Sequence, residues 1–106
     1  MPAAALPTID ELKSLAPDFC RRDGIARLEV FGSIARREAR PGSDVDLLVT
    51  FRPGVHPGLD FFSMQDELQE RLGIHIDLLT RRSVEKSDNP IRRQSILDSA
   101  VDVYAE

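Results

Sequence analysis

The chain has 106 residues, 42% hydrophobic and 30% charged, enough for one compact domain with a single core. Its formal net charge of −4 argues against broad, sequence-independent nucleic-acid binding. No apolar run approaches the ~20 residues needed to cross a bilayer. One cysteine, Cys20, excludes an internal disulfide, and the opening MPAAALPT lacks a basic and long apolar leader. A cytoplasmic protein is therefore expected, with Cys20 a reduced, partly buried small apolar residue.

In chain order, a loose lead of Met1–Pro7 is expected before a helix opened by Thr8 and Glu11, which are spaced as a capping box. Ile9, Leu12, Ala16 and Phe19 recur at helical spacing behind it, and Pro17 marks a possible kink or break. Asp23-Gly24 stops the helix. Ile25 to Phe31, with Leu28 and Val30 alternating against Arg27 and Glu29, reads as a strand.

Gly32-Ser33 ends that strand, and Ile34 to Ala39 favours a short helix. After a turn at Arg40–Ser43, "DVDLLVTF" reads as a second strand. Val45, Leu47, Val49 and Phe51 take one face of it, and Asp44, Asp46, Leu48 and Thr50 the other. A Pro/Gly loop precedes a helix from about Leu59 to Leu72, carrying Phe61, Met64, Leu68 and Leu72 on one side and ended by Gly73. Ile74 to Thr80 is a third strand, with Asp77 opposite Ile76 and Leu78. A last amphipathic helix is expected over Ile91 to Tyr104, with Ile96, Leu97, Ala100, Val101 and Tyr104 on its apolar side. The expected fold is a single α/β (α+β) domain over residues 1–106, with about three strands flanked by helices.

Asp44 and Asp46 lie two apart on a strand, so both carboxylates project to one side. If the strand bearing Asp77 is a neighbour in register, three carboxylates converge and repel one another. Divalent cations are the natural remedy. Oxygen-only ligands suit Mg²⁺ or Mn²⁺ rather than zinc. Two ions held ~3.5–4 Å apart form a clamp for in-line displacement at phosphorus. Gly32-Ser33, between a strand and a short helix, offers close backbone approach and a hydroxyl to a phosphate. Each feature also has a plain structural reading. Gly-Ser can be just a turn, Asp44 can cap the turn at Pro41-Gly42, Asp46 can pair with Arg36, and Asp77 can face solvent. The coincidence of all four favours the chemical reading.

"GSIARREARPGSDVD" resembles the G-S-x10-D-x-D signature of the DNA polymerase β-like nucleotidyltransferase superfamily, and "IDLLT" resembles the strand carrying its third carboxylate. From the Thr8 helix onward the chain is similar to the minimal nucleotidyltransferases, the MNT antitoxins paired with HEPN toxins. One departure is Arg37, where many relatives carry Gly; it lies outside the acidic triad. The resemblance implies a nucleotidyltransferase fold with a small mixed sheet. Asp44 and Asp46 would bind two Mg²⁺ ions. Asp77 would bind the second ion and accept the proton of the attacking hydroxyl. Gly32 and Ser33 would hold the β- and γ-phosphates of ATP or another NTP. AMP would pass to a tyrosine of the HEPN partner, pyrophosphate would leave, and a hetero-oligomer with the partner is expected.

Two other functions stay open: an antitoxin that acts by binding alone, and a nucleotidyltransferase that modifies RNA or a small molecule. The length leaves no evident acceptor domain, so a partner must bring its own surface. The helices at Leu59–Leu72 and Ile91–Tyr104 are candidates to meet it. His56 and His75 show no metal-ligand spacing and are expected to be structural or exposed. The basic pairs Arg21-Arg22, Arg36-Arg37, Arg81-Arg82 and Arg92-Arg93 read as solvated faces.

Overall fold

The computed structural model describes residues 6–40 and 42–106. Most of the expected lead, Met1–Ala5, lies outside the described residues; Leu6 packs against the core and Pro7 is buried. The elements run α1 (Ile9–Asp23), β1 (Ile25–Phe31), α2 (Gly32–Ala35), β2 (Val45–Phe51), α3 (Asp60–Leu72), β3 (Ile76–Thr80), α4 (Arg81–Glu85), α5 (Pro90–Ser99) and β4 (Val101–Ala105).

Thr8 caps α1 as its spacing implies, its Oγ1 accepting from the Glu11 N–H at 3.1 Å. Pro17 does not end the helix, which continues to Asp23. Leu12, Ala16, Phe19 and Cys20 are all buried along it, so packing outweighs the lost backbone donor. Gly73 ends α3 as expected.

The sheet order is β3-β2-β1-β4. β1 pairs antiparallel with β2 and with β4, and β2 pairs parallel with β3. The sheet is therefore mixed, with four strands rather than about three. The difference lies at the C-terminus, where the expected helix over Ile91 to Tyr104 divides. α5 ends at Ser99, and Ala100 turns extended at φ −65°, ψ 131°. Val101–Ala105 then fills the open edge of β1. The segment Val-Asp-Val-Tyr satisfies a period of two as well as a helical stripe, and the unpaired backbone of β1 decides between them. Arg27 Nε donates to Asp102 Oδ1 at 2.6 Å across this pairing. The second addition is α4, a single helical turn capped by Thr80, whose Oγ1 accepts from the Ser83 N–H at 3.1 Å.

The sheet separates two cores. Leu28, Val30, Val45, Leu47, Val49, Ile76 and Leu78 point to one face and pack with α1 and α3 residues Leu12, Phe19, Met64 and Leu68. On the other face Phe31 and Leu48 meet Val84 of α4 and Ile96 of α5, with Leu79, Leu97 and Ala100 around them. The alternation expected for β2 is observed, which leaves Asp46 on the second, smaller face. Glu29 also lies on that face at 2% exposure, the one buried charged residue among those described. It accepts from Arg81 Nη1 at 2.7 Å. Among the described residues no helix is long and apolar enough to cross a membrane.

Candidate active site

The C-terminal end of β1 and the N-terminal ends of β2 and β3 meet at one edge of the sheet. There Phe31 is the register partner of Asp46, and Asp46 is the register partner of Asp77. Val45 donates to the His75 carbonyl at 3.1 Å, so the pairing of β2 with β3 extends one step outward to the level of Asp44. The three carboxylates singled out in the sequence therefore come from two adjacent strands and share one face of one edge.

Gly32 follows Phe31 directly. Its φ is +72°, and a Cβ built there would collide with Asp46 Oδ2. Glycine is thus required twice, by backbone conformation and by the carboxylate lying against it. Its N–H points to Ser99 Oγ at 3.4 Å. Ser33 is the second residue of the one-turn helix α2, and its carbonyl accepts from the Glu38 N–H at 2.8 Å.

Asp46 is half-buried, whereas Asp44 and Asp77 are exposed. Burial raises the Asp46 carboxyl above its ordinary range, the charges of Asp77 and Asp44 raise it further, and His75 and Arg92 pull it back. Asp44 Oδ1 lies 3.1 Å from His75 Nδ1. The suggested pairing of Asp46 with Arg36 is not formed; Arg36 Nη2 donates to Ser95 Oγ at 2.9 Å instead.

Among the described residues no three His, Cys, Asp or Glu side chains close on a common ion position. The donor set nevertheless fits a hard divalent cation. It is all carboxylate oxygen, the donor type that Mg²⁺ and Mn²⁺ favour. Cys20 takes no part: it is fully buried in the main core, and burial pushes its thiol up to about 12.

A family model described as "Nucleotidyltransferase domain" matches residues 12–103. The chain belongs to that family. A provisionally named protein adenylyltransferase of Methanocaldococcus jannaschii is 38% identical over 95 residues, covering 90% of this chain and 97% of its own length. A solved structure provisionally described as a minimal nucleotidyltransferase superposes with TM-score 0.68 at 33% identity, covering 92% of this chain and 97% of that one. A chain from the complex of a tri-AMPylated Shewanella oneidensis HEPN toxin with an MNT antitoxin gives TM-score 0.64 at 14% identity, covering 93% and 74%. At that identity the likeness is one of fold.

Three features of this nucleotidyltransferase escape a reading of its sequence. His75 meets Asp44 because β2 and β3 start side by side, which no local spacing signals. The buried Glu29–Arg81 pair joins β1 to α4 across 52 positions. α5 crosses the second face beside the acidic edge and brings Ser99, Ser95 and Arg92 towards it. Arg37 adopts φ +59°, the one non-glycine residue described in the left-handed region.

Proposed function

We propose that this nucleotidyltransferase moves AMP from ATP to a hydroxyl of a partner protein, and that the acceptor is a tyrosine of a HEPN-type toxin that is silenced by the modification. The carrying observation is the register pairing of Asp46 with Asp77 beside the glycine that Asp46 Oδ2 touches. It gathers carboxylates and a closely approachable backbone at one edge. The adenylyltransferase name of the archaeal relative supports the reaction class, and the toxin complex that shares the fold supports the partner class.

In this reading Asp44, Asp46 and Asp77 would hold divalent cations, Mg²⁺ or Mn²⁺. Bound there, such ions supply charge neutralisation at the α-phosphate and the leaving pyrophosphate. Gly32 and Ser33 approach the β- and γ-phosphates, the glycine by its lack of a side chain and the serine by its hydroxyl. Asp77, the more open member of the register pair, faces the incoming hydroxyl and takes its proton. The acceptor oxygen forms a bond to the α-phosphorus, the bond from that phosphorus to the α–β bridging oxygen breaks, and pyrophosphate departs with the electron pair.

The deciding test is label transfer. The protein is incubated with α-labelled ATP, Mg²⁺ and a lysate of its host containing the partner, beside an Asp44→Asn/Asp46→Asn control. Protease-sensitive label that appears only with the native chain is expected. Nuclease-sensitive label would redirect the reading to an RNA acceptor. No label above the control would leave an antitoxin that works by binding.

A further inference from the structure

α5 packs over the second face of the sheet. Ser99, at its C-terminal end, receives the Gly32 N–H at 3.4 Å. One turn earlier Ile96 is buried against Phe31, Leu48 and Val84. One turn earlier again, Arg92 reaches the small hollow where Leu79, Ser83 and Val84 meet α5. Residues 92, 96 and 99 share one helix face, so this stripe runs from the end of β1 towards β3. Leu48 and Leu79 lie on the same side as Asp46 and Asp77, two residues further along their strands, roughly 7 Å away. Arg92 therefore stands beside the carboxylate edge.

Among the described residues Arg21, Arg71, Arg82 and Arg92 lie on helices with guanidinium groups that no side chain holds, and of these Arg92 is the one that lines the hollow between α4 and α5 on the second face. Arg22, Arg27, Arg52 and Arg81 are each held by a carboxylate. Arg36 and Arg93 are held by Ser95 Oγ and the Ser87 carbonyl. Among the described residues the exposed Arg92 guanidinium has neither an ion-pair nor a hydrogen-bond partner. It also occupies the first turn of α5, where the helix dipole disfavours a cation and no acidic residue offsets it. Core packing gives this arginine no evident role.

The geometry points to Arg92 as a cationic contact for the phosphate chain of a nucleoside triphosphate seated on the Asp46–Asp77 edge. The inference rests on the nucleotidyl-transfer reading and adds to it a wall contributed by α5. Carboxylates and their cations can engage the reacting phosphate from the sheet, while a guanidinium from the opposite wall makes paired hydrogen bonds to non-bridging oxygens. The charge of Arg92 is already felt at Asp46, which fits its placement.

The test is Mg-ATP binding to the full chain by titration calorimetry, comparing native protein with Arg92→Ala, Arg92→Lys, Arg82→Ala and Asp44→Asn/Asp46→Asn. Arg92→Ala should weaken binding about tenfold or more, the range expected for losing a hydrogen bond to a charged group. Arg92→Lys should restore part of it, Arg82→Ala should bind as native, and the melting temperature of each arginine variant should match the native one. Native-like binding by Arg92→Ala, with binding lost in the Asp44→Asn/Asp46→Asn variant, would overturn the role of Arg92 alone. Absence of Mg-ATP binding by the native chain would overturn this inference together with the nucleotidyl-transfer reading beneath it.

Discussion

Asp46 on β2 and Asp77 on β3 are direct partners across a parallel strand pair, so their carboxylates leave the same face of the sheet at the same level. Partial burial, and after it the neighbouring charges of Asp77 and Asp44, favour the neutral form of Asp46. Asp46 is thus placed against its own ionisation.

A stability cost follows from that relationship. A carboxyl raised in the folded state binds its proton more tightly there than in the unfolded chain. Its favourable contribution is complete below the ordinary carboxylate range and is lost as pH rises through the raised value. In metal-free buffer, Asp46→Asn should melt above the native protein at neutral pH, and the gap should close as pH falls to about 4. Mg²⁺ should raise the native melting temperature and leave that of the variant nearly unchanged. The same substitution should abolish label transfer. Melting curves across pH, with and without EDTA, check all but the last point, which the transfer assay covers.

Gly32 separates backbone conformation from site geometry. Gly32→Ala would bear the left-handed penalty of roughly 1–2 kcal/mol and would also push on Asp46 Oδ2. Gly42, at φ +89°, has nothing within 4 Å of a built Cβ, so Gly42→Ala would bear the backbone penalty alone. Both variants should be destabilised in urea, Gly32→Ala the more, and only Gly32→Ala should lose most of its transfer activity. Equal activity in the two would remove Gly32 from the site.

The buried carboxylate of Glu29 depends on Arg81. Arg27 is the other cation within ion-pair range of it, more distant at 3.6 Å and itself bonded to Asp102. Arg81→Met should therefore destabilise the fold by about 3–5 kcal/mol, the usual cost of stranding a buried charge. Adding Glu29→Leu should recover much of the loss, because the pair would then be replaced by apolar volume on a face already lined by Leu48 and Phe31. Urea midpoints of the single and double variants measure the coupling.

What the sequence made legible was mostly local. The cap at Thr8, the alternation of β2 and the stop at Gly73 each depend on residues within a few positions. The carboxylate pair Asp44/Asp46 follows from strand alternation, and its meeting with Asp77 needed only the guess that β3 lies beside β2. The C-terminal strand was not legible, because Ala100 to Tyr104 fits both periods and the choice is made by the free edge of β1. His75, Arg81 and Arg92 were illegible for a related reason. Each gains its meaning from a neighbour brought near by topology, more than thirty positions away in the chain.

Arg37 holds a strained backbone position. It sits at φ +59° just after α2, a conformation that a side chain penalises and glycine does not. Arg37→Gly should stabilise the protein by about 0.5–1 kcal/mol, the strain relieved less the extra entropy of glycine in the unfolded chain. Label transfer should be unaltered. Urea unfolding checks the gain, and a loss of stability would mean that the arginine side chain makes a compensating contact.

Catalysis and partner binding should separate under substitution. Asp44 and Asp46 lie at the sheet edge, whereas the large apolar side chains most exposed, Leu59, Phe62 and Ile91, lie at the starts of α3 and α5. Replacing both aspartates by asparagine changes charge and hardly changes shape. It should leave a complex with a HEPN-type partner intact in co-purification while ending neutralisation of that partner's toxicity. If neutralisation survives with transfer abolished, contact alone silences the partner and the acidic edge has another use. If the complex is also lost, the edge itself belongs to the interface, and the partner's acceptor segment must be part of what holds the two proteins together.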